Sequence, residues 1–216
     1  MNKNNLKKTK IILVRHGECR GNREGLFRGR SDFPLNERGL IQAKELAAEM
    51  RLFLPVKVFT GPLSRAKQTA EIIAAECNVE TEECANFNNI KLGPWEGQTK
   101  DFISRKYPEQ WGVWLNEPEK LTVNGIEKLA EVQERAKKGL EEIIDCYSGR
   151  TVIIVSHRAV LKPLIASCLE MAKPYFWRIH MDTAAYSILY FEPERGFTLV
   201  QLNQNRHLSE YISEWE

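Results

Sequence analysis

The chain has almost no charge bias: 31 Lys and Arg stand against 29 Asp and Glu, a formal net charge of +2 over 216 residues. With no long Lys/Arg block either, nucleic acid is not expected as a partner. No run of 18 apolar residues occurs, which excludes a membrane-spanning helix. The basic start, Lys3, Lys7, Lys8 and Lys10, lacks the apolar core and small-residue cleavage site of a signal peptide and reads as a frayed terminus. The expectation is a cytoplasmic protein with no membrane partner. Cys19, Cys77, Cys84, Cys146 and Cys168 are scattered and form no Cys-x-x-Cys, so neither a disulfide framework nor a zinc ribbon is supported. His180 and His207 have no carboxylate or histidine partner at metal-ligand spacing, so no metal site is read and no cofactor is expected. There is no internal repeat and no linker. With 43% hydrophobic content, residues 1–216 are expected to form a single domain around one sizeable core.

Apolar strands that end in chemistry are what the chain does have. The run Ile11 to Val14 leads into Arg15-His16-Gly17-Glu18. A strand running out there delivers an imidazole and a guanidinium to the carboxyl edge of a sheet, where open α/β folds bind ligands. Neutral histidine can attack phosphorus, and arginine presents a planar fork of donors to phosphate oxygens. The strand-like Val56 to Phe59 precedes Ser64-Arg65-Ala66-Lys67-Gln68-Thr69-Ala70-Glu71, which puts Arg65 in the first turn of a helix, where an anion is favoured. A third apolar strand, Thr151 to Val155, ends in Ser156-His157 and opens a helix over 159–169. His157 is therefore expected at the same sheet edge as His16.

These blocks, with the turn Gly93-Pro94-Trp95-Glu96-Gly97, resemble the histidine phosphatase superfamily over roughly residues 10–200, in the order that family uses. The resemblance implies an α/β fold, a three-layer α/β/α sandwich around a mostly parallel mixed sheet like that of the phosphoglycerate mutases. It implies His16 as the nucleophile that becomes phosphorylated, Arg15 and Arg65 as the clamp on the phosphoryl oxygens, and His157 as the second histidine stabilising the transition state. Asn22 matches an asparagine set against the same phosphate. Glu18 and Glu96 match carboxylates that hold loops and basic residues, Glu18 at the border of the substrate site. Arg28 falls where relatives touch the non-reacting part of the substrate.

Two departures stand beside these matches. Relatives carry a glutamate four residues before the first glycine of the turn, and this glutamate protonates the leaving oxygen. Here that position is Asn89. An amide cannot supply that proton, a loss worth about 10²–10⁴-fold on a poor leaving group. Three accounts stay open: Glu82, Glu83 or Glu96 substitutes, the substrate is an activated phosphate, or the site binds a phosphorylated ligand and turns over slowly. The second departure is Arg158, where many relatives have glycine; with Lys91 and Arg28 it would favour a substrate carrying a second anionic group.

The periodicity predicts a helix after Asn36 with Leu40, Ala43, Ala47, Met50 and Leu54 on one face, a helix over 64–77, and a helix opened by a capping box of Asn124 and Glu127. Late strands near 185–191 and 197–202 form a hairpin. Residues 78–123 are an irregular excursion that lids the site, with Trp111 and Trp114 either in the lid or in a satellite core. Phe176 and Trp177 are read as packing, and Thr183 or His180 as a possible substrate contact. The expected function is a metal-independent phosphomonoesterase acting on a small phosphorylated metabolite. The alternatives are mutase-type phosphoryl transfer and a weak phospho-ligand-binding member. Oligomeric state is open, a homodimer among the options.

Overall fold

Residues 11–14 are apolar at every position, the pattern of a strand covered on both faces. In the computed structural model, which describes residues 8–211, they form the centre of β1 (Thr9–Arg15). Ile11 and Leu13 enter one core with Val152 and Ile154; Ile12 and Val14 enter the other with Ile153 and Val155. The continuous apolar run thus serves two helical layers at once.

Six strands make one mixed sheet in the order β3-β2-β4-β1-β5-β6: β2 (Lys57–Thr60), β3 (Thr81–Glu83), β4 (Thr151–Ser156), β5 (Tyr186–Glu192) and β6 (Gly196–Gln204) complete it. β3, β2, β4 and β1 are mutually parallel, while β5 runs antiparallel to β1 and β6 antiparallel to β5. Helices α1 (Glu37–Arg51) and α2 (Ser64–Cys77) cover one face through Leu46, Met50, Ala66 and Ile73. On the other face lie α5 (Leu129–Cys146) and α6 (Arg158–Cys168), through Val132, Leu140, Leu161 and Leu164. This is the three-layer α/β/α arrangement the sequence implied.

Arg15 pairs in register with Ser156 at the adjoining ends of β1 and β4. The next residue on each strand is a histidine, so parallel pairing places His16 and His157 side by side at the carboxyl edge.

Local expectations need four corrections. In α1, Ala43, Ala47 and Met50 are buried, but Leu40 is 38% and Leu54 80% exposed. The buried stripe instead includes Gly39, because a side chain there would strike the backbone of Glu18; the stripe then runs through Leu46, and Leu54 lies past the helix end at positive φ. The capping box sits later than Asn124 and Glu127: α5 begins at Leu129, and Glu131 accepts the Lys128 N–H at 2.9 Å. Glu127 is drawn off by Arg135, whose Nε lies 2.7 Å from it. The excursion is more regular than expected, holding β3, α3 (Lys100–Lys106) and α4 (Pro108–Asn116). Lys3 and Lys7 of the expected frayed start lie outside the described residues, whereas Lys10 belongs to β1 and the Lys8 ammonium stands 3.7 Å from the Tyr190 ring centre. Among the described residues no helix is long and apolar enough to cross a membrane.

Candidate active site

Gly17 turns the chain immediately after β1, and a side chain there would come within 2.7 Å of the Gly39 carbonyl oxygen of α1. Glycine lets the helix approach, and the turn leaves His16 almost fully buried, 2% exposed, against His157 at 2%. Their ring centres are 5.0 Å apart. His16 Nδ1 lies 2.7 Å from the Gly17 carbonyl. A carbonyl only accepts, so Nδ1 carries the proton and Nε2 holds the lone pair of the neutral ring. Burial first, then the guanidiniums of Arg65, Arg15 and Arg28, hold the His16 pKa well below 6.5. Burial, then Arg65 and His16, do the same to His157. Both ring nitrogens of His157 are buried without a hydrogen-bond partner among the described residues, a state that a bound anion would relieve.

Two arginines, both 0% exposed, surround the pair. Arg15 Nη1 donates to the Met181 carbonyl at 2.6 Å, fixing the segment before β5. Arg65 stands in the first turn of α2, and its two terminal nitrogens donate to the Ser31 and Gly29 carbonyls, each at 3.0 Å. Burial lowers the Arg65 pKa to about 10, still far above neutrality, so the guanidinium stays charged. Gly29 sits at φ +49°, and a side chain there would strike the Glu96 carboxylate, so the loop carrying Arg28 closes over the site only with glycine at this position.

A cavity of about 570 Å³ opens from the imidazoles, with Arg15, His16 and His157 in its floor. Arg28, Asn89 and Arg158 also line it. Arg65 lies behind this surface, near enough to be the largest charge acting on both histidines.

A family model described as the histidine phosphatase superfamily (branch 1) matches residues 11–205. The chain belongs to the histidine phosphatase superfamily. Phosphoserine phosphatase 1 of Hydrogenobacter thermophilus is 37% identical over 206 residues, 95% of this chain and 97% of that one. An uncharacterized phosphatase, PhoE of Bacillus subtilis, is 30% identical and covers 94% and 99%. Among solved structures, Bacillus stearothermophilus YhfR superposes with a TM-score of 0.88 at 28% identity, covering 93% of this chain and all of that one. A phosphoserine phosphatase from Entamoeba histolytica in complex with 3-phosphoglyceric acid gives 0.80 at 26%, covering 93% and 99%. With relatives named as phosphatases, this histidine phosphatase is a phosphoric monoester hydrolase.

Not every residue singled out in the sequence reaches the cavity of this histidine phosphatase. Glu18 is buried but turned to Arg23 Nε at 3.0 Å and Asn36 Nδ2 at 2.9 Å, so its carboxylate holds the loop rather than lining the cavity. Asn22 is buried beside the loop, its Oδ1 accepting from the Cys19 N–H at 2.9 Å and the Cys19 thiol at 3.3 Å; it too is outside the lining. Lys91 is exposed on the surface and does not add to the cavity charge. None of the three proposed replacements for the missing acid faces the cavity. Glu82 and Glu83 are exposed on β3 beside Lys57 and Lys67, and Glu96 accepts the Leu92 N–H at 2.8 Å.

Several lining residues were not singled out. Lys100 opens α3, and Lys162 lies in the second turn of α6. Lys162 had a visible signal, a lone lysine inside Ala159-Val160-Leu161 and Pro163-Leu164-Ile165. Trp111 and Trp114 both wall the cavity, and they form no satellite core: Trp114, 7% exposed among Phe27, Trp95 and Phe176, belongs to the main core that includes Ile11 and Leu13, and the half-buried Trp111 packs against it. Phe176 and Trp177 also line it, so packing is not their whole role. His180 lines the cavity and Thr183 does not; His180 has a carboxylate partner after all, Asp182 at 2.8 Å. Among the described residues no cluster of ligands suits a metal ion.

Proposed function

We propose that this histidine phosphatase hydrolyses a small anionic phosphorylated metabolite through a phosphohistidine formed on His16 Nε2. The observation that carries this is the Nδ1–H to Gly17 carbonyl bond: it fixes the tautomer whose lone pair is on Nε2, in a ring kept neutral by burial and three arginines. In the first step Nε2 bonds to phosphorus and the ester P–O bond breaks, the leaving oxygen taking the pair and then a proton from solvent. In the second, water bonds to phosphorus, the P–N pair returns to Nε2, and the water proton leaves with phosphate and solvent. Arg15, Arg65 and His157 carry the negative charge that builds on the phosphoryl oxygens. Arg28 and Arg158 face the leaving group, and Asn22 steadies the loop beside the phosphate.

Among the described residues lining the cavity there is no aspartate or glutamate. Solvent as the proton source favours leaving groups that need little help, such as aryl and acyl phosphates. The same feature supports a second reading, a phospho-ligand-binding protein of slow turnover. Phosphate release by the wild type and His16→Ala across esters from phenolate to simple alkoxide separates the two. The expected result is release that His16→Ala abolishes, a steep dependence on leaving group, and an acid-labile, base-stable phosphoprotein after rapid quench. Absence of His16-dependent release from every ester would leave the binding reading.

A further inference from the structure

The aromatic wall of the cavity comes from two separate stretches. Trp111 and Trp114 stand on α4, whereas Phe176 and Trp177 belong to a single 3₁₀ turn, Phe176–Arg178, that follows α6 in the chain. Ring contacts join the two halves: the Trp114 ring centre lies 5.5 Å from that of Phe176 and 5.4 Å from that of Trp177. Such contacts reward proximity but tolerate sliding, because burial and dispersion have little directional preference. Hydrogen bonds weaken steeply when their geometry is lost, so they set the register of the seam.

Two groups make hydrogen bonds across that seam. The Trp177 indole N–H donates to the Trp114 carbonyl at 2.8 Å. Glu119, just beyond α4, accepts with Oε1 the Tyr175 N–H at 2.7 Å and the Phe176 N–H at 2.8 Å. A charged acceptor makes such bonds short and strong. Its other oxygen, Oε2, is buried with no hydrogen-bond partner among the described residues. An unpaired buried carboxylate oxygen costs stability, so the side chain contributes direction at the expense of packing energy. The same excursion is fastened to the loop that carries Arg28: the Phe27 N–H donates to the Gln98 carbonyl at 2.9 Å, and the Gly97 N–H to the Phe27 carbonyl at 2.7 Å. One frame thus spans that loop, α4 and, through Glu119, the turn that bears Phe176 and Trp177.

Building on the phosphomonoesterase reading, we propose that Glu119 is a positioning residue that sets specificity. Its carboxylate holds the Phe176 and Trp177 half of the wall in register with the Trp111 and Trp114 half, and a ligand is selected by how the group attached to its phosphate fits against both. Glu119 does not itself line the cavity, so it acts only through the residues it holds.

Titration calorimetry tests this without turnover. Orthovanadate fills only the floor against the histidines, whereas 1-naphthylphosphonate also reaches the wall. Glu119→Ala should weaken the naphthyl probe about tenfold and leave orthovanadate within about twofold of wild type. Glu119→Asp, a methylene too short to meet both N–H groups, should act in the same direction and serves if the alanine variant fails to fold. Glu119→Gln keeps an oxygen able to accept both bonds and should hold the naphthyl affinity within about threefold of wild type. Equal loss for both probes, no loss for the naphthyl probe in either the alanine or the aspartate variant, or a glutamine variant as weak as the alanine one, overturns the proposal. A wild type that binds neither probe overturns the phosphoryl-site reading and this proposal with it. A failure of hydrolysis alone would count against the phosphohistidine step and leave these affinities to decide the role of Glu119.

Discussion

The Asn89 side chain donates from Nδ2 to the Gly29 carbonyl at 2.7 Å, while its Oδ1 accepts the Ile90 N–H at 3.0 Å. The same Gly29 carbonyl accepts from Arg65 at 3.0 Å. At the position where the family resemblance implies a proton donor for the leaving group, this chain has a tie between the 85–92 segment and the loop that carries Arg28. Asn89 is 8% exposed, and both of its ends are satisfied by protein rather than by water.

Asn89→Asp should put a carboxylate oxygen against the Gly29 carbonyl, two acceptors in a buried place. The expected cost is about 1–3 kcal/mol in urea unfolding, together with a raised KM as the Arg28 loop loosens. Asn89→Glu gives up the same bond but extends a carboxyl further toward the cavity. It should lower Tm and yet raise kcat most on simple alkyl phosphates, flattening the leaving-group dependence. No gain on any alkyl ester would remove the missing acid as the reason for a preference for activated esters.

Arg65→Lys keeps the charge beside both histidines but cannot span the Ser31 and Gly29 carbonyls at once. A fall of about tenfold to a hundredfold in kcat/KM is expected from the lost fork and the released loop. Steady-state kinetics on an aryl phosphate would show it. An activity equal to wild type would mean that charge alone, not the tie to the loop, is what Arg65 contributes.

The parallel core and the floor of the site were legible because they rest on continuous apolar strands whose next residue is chemical: Ile11 to Val14 before His16, and Val152 to Val155 before His157. In-register pairing of Arg15 with Ser156 does the rest. What stayed hidden depends on distant partners. Glu127 looked like a cap until Arg135 took it, and Glu18 looked like a neighbour of the substrate until Arg23 and Asn36 took it. The cavity walls from 100, 111–115, 162 and 176–180 come from four separate stretches that no local period connects.

Arg135 is a second tie of that kind. Its Nη1 donates to the Asn86 and Asn88 carbonyls at 2.7 Å each, and its Nη2 to the Asn89 carbonyl at 3.3 Å, with Glu127 across from it. Arg135→Ala should cost about 2–3 kcal/mol, or roughly 4–12 °C in Tm for a chain of this size. Because the segment it holds positions Asn89, KM should rise as well. A Tm within a degree of wild type would show that the 86–89 segment holds its shape without the clamp.

The buried imidazoles give the protein a defined acid limit. His16 and His157 are both held well below 6.5, chiefly by burial and then by the neighbouring positive groups, whereas in the unfolded chain each returns to about 6.5. Below that pH the unfolded state takes up protons that the folded state refuses. Stability present above about pH 6.5 is therefore lost as pH falls toward the folded values. Thermal melts from pH 8 to pH 5 should show Tm declining on the acid side, and His157→Gln should make the decline shallower. Activity follows the same groups with a different readout. Once the substrate's own second ionisation, near about pH 6, is allowed for, kcat/KM should stay level through pH 6.5 and fall only lower, where His16 Nε2 takes a proton. A fall centred at or above pH 6.5 would mean that His16 is not held neutral by its surroundings, and the nucleophile would have to be sought elsewhere in the cavity.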